Sequence, residues 1–526
     1  MLGLGNEDGQ SREIRQKYGE TEVTIMVKWK VMNQAITQTT TEDISRICPQ
    51  FRILIIGKSG VGKSSLINKV FGVPIAMVSD LKPGEADINH GFTPDQNKRL
   101  VLHDSRGFEP GEIENFRLVE QFIEGRSREP HIKNRLHAVW LCLEIPSAGG
   151  RVIETGVEEF LNRKVSGELG SIPVIAVFTK YDELVDRAEF SIDSERTKGL
   201  SDEAILKIAD EDAKKILEAE CIEPFKKGFG DKIPYIIVST RKGYEDKIDG
   251  LVELTYRSVE EHVSSEPSIV SAMAQRPNPS VKINASIAVG KKKYWKGLAS
   301  GTNFPGQSLK NCLTIIHLDI IAVWNFDDPH RYLRSIEFEA LMYSLVDNLS
   351  NGNPSNPTRI LSVGLSMVGT IAGIVSALAG PAAPIVVPIA ASTVLVAWLY
   401  EIYKQSDEIL QRLMAYIVDL TLIMQNLFLL AIIDHHPVNR RLIKLAFKAY
   451  RESPVKDSVH SEIREYVKRT GVVDRVNRDG ALDKIVELIE RNRIESAEMR
   501  SLRGRIGEID SLEDEPWDVE QSERRV

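Results

Sequence analysis

Cysteine is scarce in this sequence: Cys48, Cys142, Cys221 and Cys312 are the only ones in 526 residues. They lie far apart, none forms a CxxC pair and none has a histidine at zinc-site spacing. Neither a disulfide framework nor a structural zinc is expected. Thiols scattered through so long a chain suit a reducing compartment, where they pack as small apolar groups. An excess of one charge is also missing. The 75 acidic and 67 basic residues leave a net charge of −8, so no global field draws a nucleic acid, and none is expected as partner. The first twenty residues, MLGLGNEDGQSREIRQKYGE, hold no apolar run, so a cytoplasmic protein without a secretory signal is expected. The 42% apolar fraction excludes wholesale disorder. Long charge-free stretches are absent too, with one exception in the C-terminal half.

What is present divides the chain. Residues 1–50 are polar and without sustained period; a partly disordered lead-in with one short strand near TEVTIMVKWKV is expected. From 51 to 264, five short β-branched runs alternate with amphipathic stretches: FRILIIG, RLVLHD, HAVWLCLEI, IPVIAVFTK and IPYIIVST. Such runs read as strands buried on both faces, and their alternation with helices predicts an α/β domain with a mostly parallel sheet. Residues 265–281, rich in Ser and Pro, read as a linker. Beyond it the periodicity is helical: an all-α domain over 282–358 and 402–505, interrupted by an apolar helical hairpin over 359–401 whose residues 360–400 carry no charge. Residues 506–526 read as an acidic disordered tail.

The sharpest motif is GKSGVGKS, Gly57 to Ser64, between the apolar run FRILII and the helical pattern SLINKVFG. Glycines at 57, 60 and 62 let a backbone wrap a phosphate with Ser59 and Val61 between them. The next helix adds the positive end of its dipole. Lys63 brings a mobile cation to the β- and γ-phosphates and serves as a catalytic residue. Ser64 offers its hydroxyl to Mg²⁺, and Ser65 lies near the α-phosphate. Further on, DSRG places Asp104 at a strand end, within reach of Mg²⁺ through water, and Gly107 where its N–H senses the γ-phosphate. AVFTKYD then puts Thr179, Lys180 and Asp182 at the tip of another strand. A carboxylate there accepts from guanine N1–H and the 2-amino group, donors that adenine lacks, while the Lys180 stem lies along the base. Ser239, Thr240 and Arg241 come at the end of the last strand, where a backbone N–H could reach guanine O6. Singly, DxxG and TKxD are weak; in this order, each at the carboxyl end of a strand, they are jointly specific.

With GKSGVGKSSLIN in place, the segment 51–264 resembles the G domain of P-loop GTPases of the translation-factor class, in the Era, septin and GTPase-of-immunity branch. The strings HDSRGFEPGE, HAVWLCLEIP, KKKYWKGLASGTNFPG and HLDIIAVWNFDDP are also similar to large G-domain proteins of basidiomycete fungi. The resemblance implies a three-layer P-loop NTPase fold, GTP and GDP as ligands, Mg²⁺ as cofactor and GTP hydrolysis. By analogy it implies nucleotide-dependent homodimerisation or an effector read by the helical half. Departures from the pattern predict slow turnover. Phe108 stands where Ras-like enzymes carry the glutamine that orients water, with Glu109 the nearest polar group. Gly60 replaces the potassium-binding asparagine of some relatives. No switch-one threonine is evident: LKPGEA contains none, Ser79 is remote and Thr93 falls on the wrong side of its strand. Arg106, inside DxxG, stands where relatives carry proline and is a candidate charge stabiliser in cis. A non-hydrolysing scaffold is the alternative.

The charge-free run, bounded by Arg359 and Glu401, contains PAAP at 381–384 and a small-residue pair, Gly369 and Gly373. Two readings stay open: a hairpin inserted in a membrane, which makes a membrane-remodelling G protein, or a hairpin buried in a helical bundle. The cations Arg440, Arg441, Lys444, Lys448 and Arg451 recur at helical spacing. They form either a solvated face or a seat for anionic headgroups. His435 and His436 point apart on a helix and lack a third ligand, so no metal is assigned there.

Overall fold

The computed structural model describes residues 10–18, 21–29, 39–74, 88–104, 113–146, 153–292, 309–347, 406–434, 437–469, 480–495 and 514–517, with isolated positions elsewhere. The chain divides into two units, Met1–Thr39 and Thr40–Val526. In the first, strands β1 (Gln10–Tyr18) and β2 (Thr21–Trp29) pair antiparallel, with Tyr18 opposite Thr21 and Ile14 opposite Ile25. The sequence led to one strand here; there are two. The two residues between them, Gly19 and Glu20, are the number a tight hairpin requires.

The second unit opens with α1 (Thr40–Ile47). Its first N–H groups, which have no partner within the helix, are capped from far along the chain: Asp319 accepts from the Thr40 and Thr41 amides at 3.1 and 2.7 Å, and from the Thr41 hydroxyl at 2.8 Å. Then come β3 (Phe51–Ile56), β4 (Leu100–Asp104), β5 (Ala138–Glu144), β6 (Val174–Thr179) and β7 (Tyr235–Ile237). They form a five-stranded sheet in the order β4-β3-β5-β6-β7, every neighbouring pair parallel. This α/β layering is the one expected from the apolar runs. Side-chain alternation divides the strands between two cores. Ile53, Ile55, Trp140, Cys142, Ile175 and Val177 face one side. Leu54, Ile56, Val139, Leu141, Ala176 and Phe178 face the other. Both faces are covered, so the strands read as continuous apolar runs.

Helices α2 (Lys63–Phe71), α3 (Ile113–Ser127), α4 (Thr155–Val165), α5 (Tyr181–Phe190), α6 (Asp202–Leu217), α7 (Glu223–Phe229) and α8 (Glu245–His262) connect and flank the strands. The stretch read as a linker is instead α9 (Ser265–Ala274) and the start of α10 (Pro279–Lys292). All of Pro267 to Ala274 is buried. A helix buried all round shows no amphipathic period, and Pro267 sits in its first turn, where a missing N–H costs little.

Among the described residues the further helices are α11 (Leu309–Trp324), α12 (Ile336–Asp347), α13 (Ser406–Asp434), α14 (Arg440–Arg451), α15 (Pro454–Arg469) and α16 (Gly480–Asn492). Within α13, Leu410–Ala431 has a mean hydropathy of 1.8 and is long enough to cross a membrane, yet it is buried throughout by neighbouring helices. Its polar residues find partners inside the bundle. Asp419 accepts from the Tyr450 hydroxyl at 2.7 Å and from His460 Nε2 at 2.8 Å, and Gln425 exchanges hydrogen bonds with the backbone of Ile494. Most of the charge-free run 360–400 lies outside the described residues, as do His435 and His436. Of that run, Ile371, Ile385 and Val387 are buried in the core that α13 centres.

α2 meets the bundle at its C-terminal end. The Val70 carbonyl accepts from the Arg276 amide at 2.8 Å, and the Phe71 carbonyl from Asn97 Nδ2 at 3.0 Å. Asn97 Nδ2 also donates to the Ala274 carbonyl at 2.7 Å. Arg276 donates to the Asn325 carbonyl just after α11 at 2.7 Å, and Asn325 Nδ2 returns a bond to the Met273 carbonyl at 3.0 Å.

Candidate nucleotide site

β3 runs into the loop 57–62 and then into α2, so the loop sits at the carboxyl edge of the sheet, where open α/β sheets bind ligands. The loop glycines answer to geometry, at Gly57 and Gly62 most plainly. A Cβ on Gly57 would lie 2.6 Å from the Cys142 carbonyl oxygen, a contact with backbone of β5 that cannot swing away. Gly62, immediately before α2, has φ 94°, which side chains disfavour. Val61 is buried and anchors the loop. Lys63 opens α2, and its ammonium folds back to donate to the Gly57 and Lys58 carbonyls at 2.7 and 2.9 Å. The cation therefore stands over the loop that it serves. Ser64 and Ser65 follow in the first turn of α2, whose amides have no partner within the helix.

Asp104 ends β4 in register with Ile55, which brings it to the same sheet edge. Among the described residues no three His, Cys, Asp or Glu side chains gather as a metal site. A cation beside a bound phosphate would draw its remaining ligands from phosphate and water. Ser64 and Asp104 are oxygen donors suited to Mg²⁺ in that mode. Arg106, Gly107, Phe108 and Glu109 lie outside the described residues, as does Ser79. Thr93 is engaged elsewhere: its hydroxyl accepts from Gln50 Nε2 at 3.2 Å. The antiparallel bridge from Phe92 to Leu102 closes a hairpin around PDQN.

The base side is built at the ends of β6 and β7. Thr179 is buried and donates to the Leu143 carbonyl at 3.3 Å. Lys180 turns the chain with φ 63° and α5 begins at Tyr181. Asp182, in the first turn of α5, accepts from the Ser239 hydroxyl at 2.6 Å. Ser239 Oγ in turn accepts the Arg241 amide at 3.0 Å, so the loop after β7 is tied to the carboxylate. Of the residues read as base contacts, Asp182 and Ser239 are brought into direct contact.

Several partners escaped sequence reasoning. Glu144, the last residue of β5, holds the Lys180 ammonium at 2.9 Å, with Glu183 at 3.6 Å, and the hydrogen bond to Glu144 raises the lysine's pKa. Lys58 of the loop pairs with Glu154 at the head of α4. Arg241 spans both oxygens of Asp186 at 2.8 Å. The acid closing HAVWLCLE was the one visible signal, since a charge at the end of a buried strand faces the ligand edge.

Residues 52–180 match a family described as 50S ribosome-binding GTPase, and residues 332–501 match one described as Domain of unknown function (DUF8505). The chain is 37% identical over 59 residues to Translocase of chloroplast 90, chloroplastic, of Arabidopsis thaliana, covering 11% of this chain and 7% of that protein. It is 33% identical over 72 residues to GTPase Der of Trichlorobacter lovleyi, covering 14% of this chain and 16% of that protein. The chain thus spans a small fraction of either relative's length.

Proposed function

We propose, from the premise that residues 52–180 lie in a P-loop GTPase domain that binds GTP, that this protein is a slow, Mg²⁺-dependent GTP switch read out by its helical region. The observation that carries the reading is the convergence, on one sheet edge, of the phosphate loop with Lys63 and the Asp182–Ser239–Arg241 cluster. Between them they supply cationic and amide donors for phosphates and an acceptor for the guanine edge. Mg²⁺, when bound, offsets the charge of the β- and γ-phosphate oxygens. The residues of the chain hold the nucleotide in place and leave charge stabilisation to Lys63 and, as a candidate, Arg106.

Slow turnover rests on Phe108, which cannot orient a water molecule. Read-out rests on the junction at the end of α2, where Asn97, in the hairpin that leads into Asp104, bonds both Phe71 and Ala274. A cytoplasmic location and nucleotide-dependent pairing of two copies belong to the same reading; light scattering with GDP and with a GTP analogue measures the pairing. Competition against a fluorescent GDP tests the site itself: GTP displaces it and ATP does not. Single-turnover hydrolysis then tests the chemistry. Arg106→Ala slows hydrolysis at least tenfold with binding unchanged if the arginine acts on the transition state. Turnover by the wild-type monomer within seconds, without partner or potassium, overturns the slow-switch reading.

A further inference from the structure

The last described segment, Asp514-Glu515-Pro516-Trp517, belongs to the tail expected to be disordered, yet it is docked along α14. Asp514 Oδ1 accepts the Arg440 amide at 2.9 Å, and the Arg440 guanidinium spans both Asp514 oxygens, at 2.6 Å for its closest contact. The Tyr332 hydroxyl adds a third donor at 2.8 Å. Burial pushes the Asp514 carboxyl up, but these donors outweigh it and hold the group at about 2. Glu515 is gripped by Arg441 at 3.1 Å, by Lys444 at 2.9 Å and by the Ile385 amide at 2.9 Å. Lys444 also donates to the Pro516 carbonyl at 2.7 Å, and Trp517 packs on the helical core. The Lys444 side chain is 0% exposed and that of Arg441 9%, so these two members of the cationic stripe are neither a solvated face nor a free seat for headgroups, while Arg440, Lys448 and Arg451 keep part of their surface.

We propose that Arg440, Arg441 and Lys444 of α14, with Tyr332, form a recognition site for an acidic Asp-Glu-Pro-Trp segment, filled in this chain by residues 514–517 and able to exchange them. Two adjacent carboxylates meet separate cationic groups, one of them at a helix N-terminus, and an aromatic ring follows at a fixed offset. Short linear segments are read in this way, by charge-assisted hydrogen bonds and one apolar anchor, without joining a helix or sheet. Exchange follows from the kind of attachment. Side-chain bonds to four residues lie at the low-stability end of a structure, and on release the three cations regain water instead of staying buried without a counter-charge. Through the Ile385 amide the segment also clips the charge-free run to α14, so release frees that run at one point.

The test uses the full chain and a fluorescent synthetic peptide of residues 510–520. In the wild type the peptide competes with its own copy at high effective concentration. In the full-length double variant Asp514→Asn, Glu515→Gln that competitor is weakened. The expected anisotropy result is binding on the order of tenfold tighter or more to the variant, with loss of binding when the peptide carries the same two substitutions. No binding to a folded variant, or equal binding of native and substituted peptides, overturns the proposal. If the variant does not fold, hydrogen exchange on the wild type decides. The Arg440 and Ile385 amides, which donate to the segment, then exchange at lower free energy than Ala446 inside α14. Equal protection of all three means that the segment is a permanent strut, and the proposal fails.

Discussion

Ser239→Ala isolates one hydrogen bond that orders the base site. The Ser239 hydroxyl lies 2.6 Å from Asp182 Oδ1 and accepts the Arg241 amide at 3.0 Å, and Ser239 is 1% exposed. Hydrogen bonds to charged groups are worth about 1.5–3 kcal/mol. Asp182 is only half-buried, so water recovers part of the loss, and about 1–2 kcal/mol remains. At about 1.4 kcal/mol per factor of ten, GTP and GDP affinity falls roughly five- to thirtyfold. ATP affinity does not change, because adenine never uses the oriented carboxylate. Asp182→Asn acts differently: it replaces an acceptor with an amide that is half donor, so guanine selectivity, worth roughly four orders of magnitude, collapses and xanthine nucleotides become competitive. The assay is equilibrium competition against fluorescent GDP by GTP, XTP and ATP for both variants. Unchanged GTP-over-ATP selectivity in Asp182→Asn refutes the base site. Unchanged GTP affinity in Ser239→Ala refutes the claim that the serine orders it.

Other expectations follow from buried groups. Asp419→Ala leaves the Tyr450 hydroxyl and His460 inside the bundle without their shared acceptor, and chemical denaturation should show a loss of about 3 kcal/mol; a loss under about 1 kcal/mol means that the network is dispensable. Burial holds His103, His137 and His317 each down at about 4. His137 accepts the Arg52 amide on Nδ1 while Nε2 faces the Ile132 carbonyl, a pattern only the neutral ring satisfies. The unfolded chain takes up these protons near pH 6.5, so the stabilisation is complete above that value and is lost as pH falls toward 4. Urea midpoints should therefore drop between about pH 7 and about pH 5, and equal midpoints refute neutral burial. Asn97→Ala should leave GTP affinity intact but abolish any nucleotide-dependent change in hydrogen exchange at 325–328; a persisting change removes Asn97 from the route.

The G-domain sheet was legible because each strand is buried on both faces, and a run such as Val174–Thr179 has few other places to go. The phosphate loop was legible for a related reason: the glycines at 57 and 62 answer to backbone demands that leave a fixed spacing in the sequence. What stayed hidden depends on partners remote along the chain. Asp319 caps a helix that begins 279 residues earlier. Lys444 is a surface-type residue in any local window, yet it is buried and paired with Glu515, 71 residues further on. α9 was misread because burial on every side erases the period by which a helix is recognised. In each case the deciding interaction is tertiary, and local pattern carries no trace of it.

Asn97 is one of the links that join the nucleotide domain to the bundle. α2 spans nine residues, so its end stands only about 13 Å from the phosphate loop, along a rod that transmits displacement rather than absorbing it. At that end its last carbonyls are bonded to Arg276 and Asn97, groups that also hold α9 and the chain after α11. Asn97 belongs in addition to the hairpin that leads through Phe92 and Leu102 into Asp104. Two routes from the phosphate edge, one through α2 and one through β4, thus converge on one amide. In the proposed switch, a shift of either relative to the other has to break one of the two bonds from Asn97 Nδ2, at about 1 kcal/mol each. That is the scale of typical coupling between sites, so the junction is adequate as a coupler without any larger rearrangement.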